Sequence, residues 1–438
     1  MLAASTTPVR QASVRAHNLA LVLHTVANST YPPSRAAVAA ATGLTRATVS
    51  ALVDDLVAGG LLVEVDPPPR TGAGRPAVGL ALTSTGPAGL GLEINVDYLA
   101  ACVVDLTGAV RHRHVEHADQ RPVDPAQALA ALGRLGAAAR LAAEADGLTV
   151  AGAALAVPGL VADGLVRVAP NLGWQDVDAV AALRAVPELA DLPITVDNEA
   201  NLAALGELRV TADTPGLPDA TFTAGAPSST GPSPTDVPSS TGASLSSVSA
   251  SPSDAFSSAD PPSPIGDGAD LRTGHSFLYV SGEIGIGAGL VIDGELYRGV
   301  RGWSGEIGHV TVYPDGRPCR CGARGCLEQY AGQEALARDT QLAAAALGIA
   351  LSAVVNLLDV PVIVLGGAYA PIFGTLRDGI EAELRRRVLT AGLAPVALRP
   401  AALGPDAAMR GAADTIIRVV REDPAAWLRR FSGPSPTR

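Results

Sequence analysis

Gly305-Glu306-Ile307-Gly308-His309 opens a run that continues through Cys319-Arg320-Cys321-Gly322 to Gly325-Cys326-Leu327-Glu328. Three of the four cysteines in the chain fall within eight residues, and a histidine precedes the first by ten. Three thiolates and one imidazole form a soft tetrahedral donor set suited to zinc, with His309, Cys319, Cys321 and Cys326 as ligands. Gly322 and Gly325 let the backbone fold tightly enough to aim three sulfurs at one point. The competing reading joins two cysteines in a disulfide and leaves one over. Cys319 and Cys321 are too close in sequence to bridge comfortably, and Met1–Gln11 lacks the apolar core of a signal peptide, so nothing marks an oxidising compartment.

With Gly305–His309 leading in and Glu328-Gln329-Tyr330 leading out, the run resembles the signature of the ROK family of repressors and sugar kinases. That signature reads Gly-Glu-x-Gly-His, a loop, then Cys-x-Cys-Gly-x-x-Gly-Cys-x-Glu, and every fixed position is present. The resemblance implies an actin-like, ribonuclease-H-like sugar kinase fold, two α/β lobes around a cleft, over most of Gly89–Arg418. It implies that Asn198, Glu306, His309 and Glu328 hydrogen-bond sugar hydroxyls, and that Gly159 and Asn171 lie on segments approaching the ring. Carboxylates and amides suit that task because each can engage adjacent hydroxyls. Glu306 as a solvated turn acid, and Glu328 as an acid favoured at a helix start, are the plainer alternatives.

Working outward, the first 86 residues read as a winged helix-turn-helix. Val14–Ala27 has apolar residues at helical spacing, and Pro32-Pro33 ends it. Ser34 caps a second helix over 35–41, Thr42-Gly43-Leu44 forms the turn, and Thr45 caps a third helix to Ala58 with Val49, Leu52, Val53 and Leu56 inward. Leu61–Val65 and Val78–Leu82 read as the strands of a wing. Thr45, Arg46, Thr48 and Ser50 are the groups placed to touch DNA from the third helix, and Arg70 and Arg75 flank a Gly-rich wing tip suited to a minor groove. Residues 1–85 hold six arginines against four acids, although the whole chain carries a net charge of −11. That overall charge argues against general coating of nucleic acid or membrane. All 32 cations are arginine, which with the Ala, Gly and Pro excess reflects genome base composition more than function. A winged helix used only for protein contacts is the alternative to DNA binding.

From Gly89 the pattern is α/β. Gly91–Val96 and Leu99–Asp105 read as strands, Leu129–Ala145 as a helix, and Thr149–Val157 as an apolar strand. Ile194–Glu199 reads as a strand entering a helix over 200–207. Ala344–Leu358 reads as a helix and Val362–Gly367 as a strand, so ligands belong at strand ends. The family resemblance implies a sugar-binding domain over 87–420, with 421–438 as a C-terminal tail. Residues 211–273, rich in Ser, Pro, Thr, Gly and Ala, read as a disordered insertion within that domain. The stretch between Glu328 and Leu347 is short beside the family. No apolar run reaches membrane-spanning length, and the expected location is cytoplasmic.

The family's kinases carry Asp-x-Gly-Gly-Thr at the first strand turn; here the positions read Glu93-Ile94-Asn95-Val96-Asp97. Both glycines are gone, and Val96 and Asp97 would crowd or repel phosphate. The second glycine loop keeps its glycines, but Glu283 replaces the kinase threonine. The base-holding Asn-Asp pair appears as Asn198-Glu199, so Glu199 stands at the position of the kinase base and on the sugar side of the cleft. The expectation is a zinc-holding, sugar-responsive DNA-binding regulator, a repressor without catalytic residues, acting as a homodimer or homotetramer on operator DNA. An active ATP-dependent sugar kinase with an appended DNA-binding domain is the alternative.

Overall fold

The computed structural model describes residues 11–66, 78–213, 276–282 and 285–431. Helices α1 (Gln11–Ala27), α2 (Arg35–Thr42) and α3 (Arg46–Ala58) precede the antiparallel pair β1 (Leu62–Val65) and β2 (Gly79–Leu82). The Ser34 hydroxyl accepts from the Ala37 amide at 3.2 Å, capping α2. Gly43, at φ 72°, takes the left-handed conformation at which α2 ends. The Thr45 hydroxyl caps α3 by accepting from the Thr48 amide. The two helices bend by 117° across that turn, within the range of helix-turn-helix motifs. Val49, Leu52, Val53 and Leu56 are buried, as their spacing requires.

Strands β3 (Pro87–Ile94), β4 (Tyr98–Asp105) and β5 (Val110–His117), helix α4 (Pro125–Ala145) and strand β6 (Thr149–Val157) begin the first lobe. A small antiparallel sheet of β7 (Leu160–Ala162), β8 (Leu165–Ala169) and β9 (Trp174–Val177) follows, then α5 (Ala179–Arg184), β10 (Ile194–Asn198) and α6 (Glu199–Asp213). The second lobe comprises β11 (Phe277–Gly282), β12 (Ile286–Ile292), β13 (Glu295–Tyr297), α7 (Glu328–Ala331), α8 (Gln333–Arg338), α9 (Thr340–Leu358), β14 (Val362–Gly367), α10 (Phe373–Arg387) and β15 (Ala397–Pro400). Two more helices, α11 (Ala407–Glu422) and α12 (Pro424–Phe431), end the described chain.

The two five-stranded sheets are built alike. One runs β5-β4-β3-β6-β10 and the other β13-β12-β11-β14-β15. In each, the first three strands are antiparallel in sequence and the last two add in parallel. This repeated order is the ribonuclease-H-like arrangement expected from the sequence. Helix α11 packs across β3, β4 and β6 and against α6, which also meets β11 and β12. Glycine permits the close approach: a Cβ on Gly411 would lie 1.7 Å from the Leu202 carbonyl oxygen, and one on Gly91 would lie 1.9 Å from that of Met409.

Three expectations change. The stretch 421–438 is not a tail over its described part, because α11 and α12 occupy most of it and Trp427 is buried. Apolar residues at 425, 427 and 428 give this short helix an inward face. The insertion expected from Thr211 begins later, since α6 continues to Asp213; the rest of 211–273 lies outside the described residues, as do Arg70, Arg75 and Glu283. One helix, α9, is long and apolar enough by length and composition to cross a membrane. Its buried face, from Ala343 to Val355, belongs to the core of the second lobe. The short stretch after Glu328 is filled by α7 and α8, whose Ala331 and Leu336 join that core.

Candidate functional site

Between β13 and α7 the chain makes a 3-10 turn, Ile307–His309, and then a tight loop. Cys319 donates its amide to Ala323 O at 2.9 Å, Gly322 to Cys319 O at 3.0 Å, and Gly325 to Arg317 O at 2.8 Å. Gly322 (φ 92°) and Gly325 (φ 73°) supply the left-handed turns, and Gly325 lies so close to Tyr313 that any Cβ would clash with its carbonyl.

This loop brings the His309 ring and the Cys319, Cys321 and Cys326 sulfurs together, with all ligand atoms within 4.8 Å of one another. Cys321 Sγ lies 3.7 Å from Cys326 Sγ, and Cys319 Sγ lies 4.0 Å from His309 Nδ1. A tetrahedron with metal–sulfur bonds of about 2.3 Å has edges of roughly 3.8 Å, so the donors fit a metal of the N/S class. All four cysteines are free thiols, which removes the disulfide alternative. The backbone at Ala323, followed by the Cys319 side chain, holds the exposed Cys321 thiol at about 7. Burial pushes Cys326 up, so a thiolate there calls for a cation.

Of the residues expected to meet a sugar, Asn171, Glu306, His309 and Glu328 lie near one another. A Cβ on Gly285 would lie 3.3 Å from Asn171 Nδ2 and 3.4 Å from Glu328 Oε2, so both side chains point at one spot. Burial raises the Glu306 carboxyl above its usual value, with His309 opposing and Glu328 adding to the rise. Glu306 therefore lies close to both, and it keeps access to water within a crowded recess. His309 turns Nδ1 toward sulfur, leaving Nε2 for another partner. Asn198 donates Nδ2 to Gly159 O at 3.0 Å and accepts the Ala200 amide on Oδ1 at 2.9 Å, which fixes it at the end of β10. Glu199 opens α6 beside it, half-buried.

On the other side of Glu199 the first strand turn is filled. Tyr98 donates to Glu93 Oε1 at 2.5 Å, and Asn95 donates to the Tyr98 hydroxyl at 3.3 Å. Glu93 Oε2 accepts the Met409 amide at 3.1 Å. Tyr279 covers Gly366 and Tyr369 covers Gly282: a Cβ on Gly366 would lie 2.0 Å from the Tyr279 hydroxyl oxygen, and one on Gly282 would lie 2.2 Å from Tyr369 Cζ. The space left among Glu93, Asn95, Tyr98, Glu199, Tyr279 and Ser281 is about 20 Å³, enough for one water. Val96 and Asp97, expected to crowd this place, do not: Val96 is buried in the first lobe's core and Asp97 is exposed, while Glu93, Asn95 and Tyr98 fill it. The three tyrosines were missed in the sequence because each sits in an ordinary strand or turn pattern.

In the helix-turn-helix, Thr45 and Arg46 are exposed and Thr48 and Ser50 half-buried. The Thr45 and Thr48 hydroxyls bond each other at 2.8 Å, and Ser50 accepts from Arg35 through its carbonyl at 3.2 Å. Arg35 is neutralised by Asp54 and Glu64, whereas Arg46 makes no ion pair among the described residues. Trp427 donates Nε1 to Gly59 O at 3.0 Å, tying α12 to the end of α3.

Residues 89–215 and 268–345 match the ROK family. The xylose repressor of Bacillus spizizenii is 27% identical over 335 residues, covering 76% of this chain and 70% of that protein. A glucokinase of Halalkalibacterium halodurans is 30% identical over 190 residues, 43% of this chain and 39% of that protein. The crystal structure of a ROK family transcriptional regulator, described as a homolog of the E. coli MLC protein, shares the fold with a TM-score of 0.67 at 21% identity, covering 95% of this chain and 99% of that chain.

Proposed function

The chain carries a ROK family domain, and from that premise we propose that it is a sugar-responsive transcriptional repressor. Its helix-turn-helix holds operator DNA, and its two lobes bind the sugar that releases it. The observation that supports this reading is that Glu93, Asn95 and Tyr98 bond one another across the first strand turn and leave about 20 Å³ there, while Asn171, Asn198, Glu306, His309 and Glu328 are all present to meet a sugar. A first turn occupied by side chains offers phosphate little of the open backbone cradle it needs, while a sugar has its hydrogen-bonding partners. The likeness to xylose repressors directs the search for the sugar to xylose first. In this reading His309, Cys319, Cys321 and Cys326 hold zinc, which fastens the loop carrying Glu306 to the start of α7 carrying Glu328. One reading helix spans few base pairs, so two copies acting on two half-sites are expected.

Titrating operator DNA with the protein, with and without D-xylose and a panel of hexoses, tests the reading. Release of DNA by at least one sugar is expected; indifference to every sugar would overturn it. The competing reading, an ATP-dependent sugar kinase, draws on the likeness to a glucokinase. Sustained sugar-dependent ATP turnover near about 1 per second would favour it, and the expected outcome is none.

A further inference from the structure

A recess of about 530 Å³ is lined by Val161, Gly164, Asp197, Arg298, Arg301 and Trp303 among others. Its size falls within the roughly 300–1,000 Å³ of small-molecule sites. None of Asn171, Glu306, His309 or Glu328 borders it, yet the same segments build both places. Asp197 adjoins Asn198, whose amide is bonded to Gly159, two residues before Val161. A Cβ on Gly302 would lie 3.4 Å from Val161 O, so the loop after β13 closes on the start of β7. Trp303 precedes Glu306 by three residues, at most about 11 Å of chain.

We propose that this recess is a second sugar subsite, so that the effector is a glycoside of two or more rings, one at Asn198, Glu306, His309 and Glu328 and the next stacked on Trp303. The proposal rests on the sugar-sensing reading above. Trp303 is 40% exposed. The apolar C–H face of a pyranose packs on such a flat ring, while its rim hydroxyls need planar, two-pronged partners. Those partners are present. Arg298 is held by Asp197 through Nε at 2.9 Å and Nη2 at 2.8 Å, leaving other N–H groups to donate. Arg301 stands 6.0 Å from the Trp303 ring centre and makes no ion pair among the described residues. Asp163 and Asp197 line the same recess as the two arginines, so its field favours a neutral hydroxylated ring over an anion.

Calorimetry on the full chain with D-xylose and D-glucose, against xylobiose, cellobiose and maltose, tests the proposal. At least one disaccharide is expected to bind about tenfold tighter than its own monosaccharide. Because Trp174 and Trp427 are 2% and 3% exposed, tryptophan emission should change with the disaccharide chiefly through Trp303. Trp303→Ala should bring the disaccharide down to monosaccharide affinity without altering the latter, and Trp303→Phe should keep most of the advantage. Disaccharides binding no tighter than monosaccharides, or Trp303→Ala weakening both alike or neither, would overturn the subsite while leaving the sensor reading standing. If no sugar of either length binds, the sensor reading fails and the subsite with it.

Discussion

At Cys321 the metal reading comes down to one exposed sulfur 3.7 Å from Cys326. Replacing it by serine removes a soft ligand and leaves three donors too few to close a structural site. Metal analysis should find about one zinc per chain in the wild type and little in Cys321→Ser, together with lower thermal stability. Wild-type protein without zinc, or a variant of unchanged stability, would contradict the assignment. Arg46 carries the other single-residue claim, because it stands exposed at the start of α3 with no acid paired to it among the described residues. Arg46→Ala should weaken specific operator binding by about 1–3 kcal/mol if it reads a guanine, measured against a scrambled site. That His309 and the three thiols would meet was legible because spacing in a short loop dictates which sulfurs can approach one another. The crowding of the first strand turn was legible only in outline: residues with side chains at 95 and 96 pointed to it, but which of them turn inward depends on strand direction. Val96 points to the core, and Tyr98, beyond the turn, reaches back over Glu93.

Helix α12 is the element whose role exceeds its length. It follows α11 after one residue, Asp423, and α11 lies on the first lobe's sheet. Trp427 joins the core that α1, α2 and α3 share with α11, and Leu428 fills the space beside Gly59. Arg430 donates to Ala151 O at 3.3 Å, so the same short helix also touches β6. Trp427→Ala opens a cavity at this junction and should cost about 3–5 kcal/mol of stability, read from denaturant unfolding of the full chain. A loss below about 1 kcal/mol would mean that the junction collapses freely around the gap. Eight residues, about two turns, are too short for a periodic signal, which is why the sequence read as a tail. The long elements were legible for the opposite reason: α3 and α9 run through several turns, and their caps at Thr45 and Asp339 are held by side-chain hydrogen bonds.

Across the whole molecule, the residues proposed to face the sugar come from both lobes: Gly159, Asn171 and Asn198 from the first, Glu306, His309 and Glu328 from the second. A sugar touching both therefore favours their closure. Helices α11 and α12 link the first lobe to α1 and α3 through a continuous apolar core, so closure can bias how the helix-turn-helix is held. A ligand shifts the DNA-bound state only by its differential affinity for two conformations, about 1–3 kcal/mol, or roughly 5- to 150-fold. Operator DNA must lower sugar affinity by the same factor. Glu306 lies on the loop between β13 and α7, away from α3, and serves only the sugar in this account. The most direct measurement is operator affinity of wild type and Glu306→Ala, each with and without saturating sugar. The account predicts that sugar weakens wild-type binding within that range, while the variant binds DNA like sugar-free wild type and ignores the sugar. A variant that loses DNA binding without sugar present, or one that still responds fully, would contradict it.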